Sequence, residues 1–90
     1  MNLELIHDIF KEQPLTTQLG ITWIDLYPEN YVIKNNDGFD RKYRWTIYIR
    51  EDAIIIFSYN ITENYRSYLL SDPNIFEKVT KLINTTNYPI

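Results

Sequence analysis

Apolar residues near the start of the chain recur at helical spacing. Leu3, Ile6, Ile9 and Phe10 fall on one stripe, with Leu5 beside them. Asn2 stands where an N-cap belongs, and Pro14 forces the helix to end near Glu12. The opposite face carries Glu4, His7, Asp8, Lys11 and Glu12, so His7 is expected to be solvated. A second stripe, Ile75, Phe76, Val79, Leu82 and Ile83, predicts a closing helix. Asp72 reads as its N-cap and Pro73 as its first helical residue, with Glu77 and Lys81 spaced to pair. The helix is expected to fray into Asn84–Asn87, with Tyr88–Pro89–Ile90 as a tail.

Between these helices the period drops to two. Arg41–Arg50 and Ala53–Tyr59 read as two strands closed by Glu51–Asp52. That loop sets a register in which Ile49 faces Ile54, Ile47 faces Ile56 and Trp45 faces Ser58. On the other face Tyr48 meets Ile55, Thr46 meets Phe57 and Arg44 meets Tyr59. The first set, with Tyr43, belongs to the core. Gly20–Tyr27 is apolar on both faces and reads as a buried strand. Pro28–Glu29–Asn30 turns the chain into a short strand, Tyr31–Asn35, and Asn36–Asp37–Gly38 supplies a hairpin turn. In Asn60–Leu70, Ile61, Tyr65, Tyr68 and Leu69 fit a helical stripe, while Tyr65–Leu70 fits a strand equally well. The expected fold class is α+β. An N-terminal helix, an antiparallel meander of three to five strands and a C-terminal helix form one domain over 1–90, with both helices on one sheet face.

Composition adjusts this picture in two places. A chain of 90 residues buries only about 60–65% of its unfolded surface, so its core must come from a few large side chains. Two Trp, eight Tyr, four Phe and an excess of Ile supply them. The absence of cysteine excludes disulfides, thiolate zinc sites, iron–sulfur clusters and cysteine nucleophiles, and favours a reducing cytoplasm. Met1–Asn2–Leu3–Glu4 has no basic region of the kind that opens a signal peptide, and no apolar run is long enough for a membrane span. The net charge of −3 disfavours attraction of the whole surface to nucleic acid. The Ile, Asn and Tyr excess is what an AT-rich genome tends to encode, as in phages, mobile elements and low-GC bacteria.

Chemistry is hard to assemble from these residues. His7 is the only histidine, and no H-x-x-x-H or Ser–His–Asp arrangement is available. Asn35–Gly38 fails as a calcium loop, because Ile33 and Arg44 occupy positions that must be acidic. Asp37 with Asp40, and Glu51 with Asp52, lie at wet hairpin tips, far from the pocket that acid–base work requires. Asp25 stands between Trp23, Ile24 and Leu26, and is expected to alternate outward to solvent. Two glycines leave no phosphate-cradling loop. No enzyme, cofactor or metal site is expected.

Binding is the better expectation. Arg41, Lys42, Arg44 and Arg50 put four cations and no acid into residues 41–50. The face built from Lys42, Arg44, Tyr48, Arg50, Ile55, Phe57 and Tyr59 mixes the residue types that dominate protein interfaces, and a protein partner is expected there. The same residues suit a single-stranded nucleic acid, with cations on phosphates and rings on bases. A homodimer through this face or through an edge strand would use the same chemistry. The competing expectation is that residues 60–70 or the first helix cover the face, burying Ile55 and Phe57. Small, acidic, cysteine-free α+β chains are common among phage-encoded inhibitors and toxin-immunity proteins, a likeness of size and composition with no shared motif.

Overall fold

The computed structural model describes residues 2–33, 43–58 and 66–85. Helix α1 spans Leu3–Lys11. Its start is fixed by Asn2, whose side-chain oxygen accepts the Leu5 amide at 2.9 Å. Helix α2 spans Ile75–Thr85. It begins two residues later than the sequence suggests. Asp72 accepts the Asn74 amide at 2.8 Å and closes a turn around Pro73 before the helix proper. Asp72 also takes the Lys78 ammonium, while Glu77 and Lys81 form no ion pair.

Five antiparallel strands form a meander in chain order: β1 Thr16–Leu19, β2 Ile24–Tyr27, β3 Trp45–Arg50, β4 Ala53–Ser58 and β5 Arg66–Leu69. The β3–β4 register is the one expected, from Trp45↔Ser58 to Arg50↔Ala53. Its two-residue loop puts Glu51 at φ 57°, a left-handed conformation that non-glycine residues adopt at a cost.

Two expectations need correction, one strand forms where none was expected, and the open choice over residues 66–69 is decided for the strand. Thr16–Leu19 is a strand although its polar sequence has no period-two pattern; it is an edge strand held by pairing with β2. β2 starts only at Ile24, since Gly20–Trp23 form the loop between the paired Leu19 and Ile24, and Ile21 is exposed. Tyr31–Ile33 is not a strand. There Tyr31 stacks on the buried Tyr27 ring at 4.9 Å, and the half-buried Tyr43 ring lies 5.2 Å from Tyr31, tilted against it. The helical reading of 66–69 fails because these residues pair with β4. The Asn36–Gly38 turn, the Ile61 and Tyr65 positions and the Tyr88–Ile90 tail lie outside the described residues.

Both helices pack on one face of the sheet. Ile6 and Phe10 of α1 and Ile75, Val79 and Ile83 of α2 meet Ile24, Leu26, Trp45, Ile47, Ile54 and Ile56. Each of these side chains is fully buried and contributes about 1.5–3 kcal/mol from burial alone. Phe10 and Phe76 join the helices edge to face at 4.9 Å. Asn84, expected to fray, instead ties α2 down. Its amide nitrogen donates to the Pro14 carbonyl at 2.8 Å, and its oxygen accepts the Glu29 amide at 2.9 Å. His7 is not simply solvated either. Its Nε2 lies 3.0 Å from the Thr17 hydroxyl of β1. Burial pushes its pKa below the ordinary value, the Lys11 charge adds to this, and Asp8 opposes it.

Candidate functional site

Because side chains alternate along a strand, fixing one face on the helices fixes the other. The register places Gln18, Asp25, Thr46 and Phe57 in one row across the outer face of β1–β4, with Tyr48, Ile55 and Ser67 in the next row. The outer face holds a pocket of about 400 Å³ lined by Thr22, Trp23, Asp25, Arg44, Thr46, Tyr48 and Phe57.

Trp23 is placed by the turn before β2. The Gly20 amide donates to the Trp23 carbonyl at 2.8 Å, closing that turn. The indole then lies against Gly20, so close that a Cβ built there would sit 2.4 Å from Cε2 and 2.6 Å from Nε1. Only glycine gives the ring this seat. From it, Trp23 Nε1 donates to Asp25 Oδ2 at 3.3 Å, while the Thr46 hydroxyl donates to Asp25 Oδ1 at 2.9 Å. Tyr48 and Phe57 meet edge to face at 6.3 Å and form another wall.

Asp25 is the unusual group. It points outward as expected, yet it is only 8% exposed. Both its donors are neutral, and among the described residues it takes part in no ion pair. A carboxylate accepts about four hydrogen bonds, so part of its capacity stays open to the pocket. Buried carboxylates are ordinarily paired with a cation.

The expected site residues divide as follows. Arg44, Tyr48 and Phe57 line the pocket together. Arg50 is exposed at the far end of β3, opposite Ala53 and outside the pocket lining. Ile55 is 5% exposed and outside the pocket lining, so it offers little contact area, a correction to its reading as a surface residue. Lys42 and Tyr59 lie outside the described residues. The idea that helix α1 covers this face fails, since α1 packs on the other side; Phe57 and Tyr48 both keep partial exposure. Sequence reasoning missed Thr22, Trp23 and Asp25 as neighbours of Arg44; it placed Thr46 on this face, opposite Phe57, without naming it as a site residue. The signal that joins them is the β2–β3 register, Asp25 beside Thr46, and no short loop links those strands to reveal it.

Among the described residues, no group of His, Asp and Glu side chains gathers as a metal site, and no helix is long and apolar enough to cross a membrane. In comparisons with known proteins, no family model, no curated protein and no solved structure matches the chain. Function must therefore be argued from the geometry of the site itself.

Proposed function

We propose that this chain is a non-enzymatic protein-binding module of a reducing compartment, and that it acts by occupying a surface on a larger partner. The observation that carries the reading is the outer-face pocket. Trp23, Arg44 and Tyr48 belong to the three residue types most enriched in binding hot spots, and they converge with Phe57 on one concavity opposite the helices. The division of labour supports it further. Helices and core occupy one sheet face, which leaves the partly exposed Arg44, Tyr48 and Phe57 side chains on the other face open to a partner. A small blocking protein of the inhibitor or immunity type needs nothing more than such a rigid face. A single-stranded nucleic-acid binder could use the same rings, but a nearly buried carboxylate in the pocket and an overall charge of −3 both oppose phosphate.

The test is affinity capture from the organism that encodes the chain, with the double variant Arg44→Ala, Tyr48→Ala run in parallel. The wild-type chain is expected to retain a stoichiometric protein partner. The double variant should keep its thermal midpoint and bind that partner about 2–5 kcal/mol more weakly. A self-contained monomer with no partner, or a double variant that unfolds, overturns the proposal. A dimer of the chain itself, broken by the same two changes, would replace it with self-association.

A further inference from the structure

We propose that the outer-face pocket receives an arginine side chain carried by the protein partner, with its guanidinium on Asp25. This rests on the protein-binding reading above and names the chemistry of the partner. The argument starts from Asp25. Its carboxylate is nine-tenths buried, is held from both sides by neutral donors, and among the described residues takes part in no ion pair. A carboxylate taken out of water in this way is destabilised until a cation completes it. The two bonds it already makes also fix its plane, leaving acceptor capacity turned to the pocket.

The walls select the kind of cation. Indole is the best aromatic face for a cation, and Tyr48 and Phe57 add two more rings. A planar, weakly hydrated guanidinium loses less on leaving water than a compact ammonium, stacks on flat rings, and offers a fork of donors to a carboxylate. Arg44 lines the same pocket and narrows the choice again. A bare cation would meet only repulsion from it. A cationic side chain on a peptide brings backbone carbonyls as well, and these accept hydrogen bonds that the Arg44 guanidinium donates. The chain's net charge of −3 draws basic partners toward it at long range. Guanine is the chemical competitor, since it presents donors on one edge and acceptors on another. It loses because a neutral base leaves the carboxylate uncompensated.

The probe is a capped Gly-Arg-Gly tripeptide, titrated into the full chain at low salt. The controls are the lysine peptide, the citrulline peptide (the same shape without the charge) and guanosine monophosphate. Binding is read from the Trp23 indole N–H and the Thr46 amide by NMR. The arginine peptide should shift both signals saturably, lysine more weakly, citrulline and the nucleotide hardly at all. Asp25→Asn should weaken the arginine peptide by at least about thirtyfold while keeping a native spectrum. Equal binding of citrulline, preference for the nucleotide, or an unaffected Asp25→Asn variant overturns the proposal. So does the absence of any saturable shift at millimolar arginine peptide. If that failure comes with a captured partner sensitive to the Arg44 and Tyr48 changes, only the arginine assignment falls. If no partner is captured either, the binding reading falls with it.

Discussion

Gly20→Ala should dismantle the pocket without touching a pocket residue. Gly20 does not adopt a positive φ, so alanine fits its backbone conformation. By chain entropy alone the change would stabilise the fold by about 0.4–1 kcal/mol. Space reverses the sign. The new methyl would sit 2.4, 2.6 and 2.8 Å from Cε2, Nε1 and Cδ2 of Trp23, against an ordinary carbon contact of about 3.5–4.0 Å. The indole must therefore move by roughly 1 Å or more. Its bond to Asp25 is already long at 3.3 Å and does not survive that shift. A hydrogen bond to a charged group is worth about 1.5–3 kcal/mol, so the net loss is roughly 0.5–2.5 kcal/mol after the entropy gain. For a domain of this size each kcal/mol lowers the thermal midpoint by about 4–8 °C.

The two tryptophans make the assay selective. Trp45 is fully buried, while Trp23 is 38% exposed, so acrylamide quenching reports mainly on Trp23. In Gly20→Ala the quenching constant should rise and the emission should shift to the red, with stability read separately by circular dichroism in urea. Trp23→Phe serves as the reference with that signal removed. An alanine variant that is more stable than wild type, with unchanged quenching, would show that the indole does not rest on Gly20, and the pocket geometry would fall with it.

Three further outcomes follow from contacts away from the pocket. The folded-state pKa of His7 lies below its unfolded value of about 6.5, so stability from the neutral ring is complete above that pH. It is lost as pH falls from there through the folded value; thermal midpoints at pH 8 and pH 5.5 should differ, and His7→Gln should shrink the difference. Asp72 is held below the usual carboxylate range by the Lys78 ammonium first and the Asn74 amide second. Its contribution is therefore present above about pH 3.9 and is lost as pH falls through the folded value, a portion of the acid titration that Asp72→Asn should remove. Asn84→Ala deletes the bonds to Pro14 and Glu29, and should cost about 1–2 kcal/mol in chemical denaturation. No change there would mean that the end of α2 is not fastened as described.

Much of the fold was legible because local and tertiary demands agree. The stripes of α1 and α2 have period 3.6, and the Trp45–Ser58 hairpin has a short loop that sets its own register. Where they disagree, sequence reasoning fails. Thr16–Leu19 has no apolar alternation and becomes a strand only because β2 lies beside it. Gly20–Tyr27 is apolar on both faces because two tasks overlap in it. Ile24 and Leu26 serve the core, while Trp23 and Asp25 serve the outer pocket. The hairpin half of the site, Arg44, Tyr48 and Phe57, was therefore visible. The half contributed by Trp23 and Asp25 was not, since it depends on pairing β2 with β3, strands that are far apart in sequence.

Asp25 separates a structural from a recognition role for the pocket. If the carboxylate serves only the fold, its two hydrogen bonds must outweigh the cost of taking it out of water. Neutral donors return about 0.5–1.5 kcal/mol each, or somewhat more toward a charge, whereas burying an uncompensated charge costs several. The balance points to a group that the fold tolerates. Asn at this position keeps both contacts. Its oxygen accepts from the Trp23 indole and its amide donates to the Thr46 hydroxyl, which is free to turn and accept. Asp25→Asn should then fold as well as wild type, or melt a few degrees higher, while losing its hold on a guanidinium. Stability held at the expense of binding is the expected signature of a functional group. A loss of more than about 2 kcal/mol on the same change would place it among large destabilisations with a structural cause. Asp25 would then be holding β2 to β3, and the pocket would need another reason to exist.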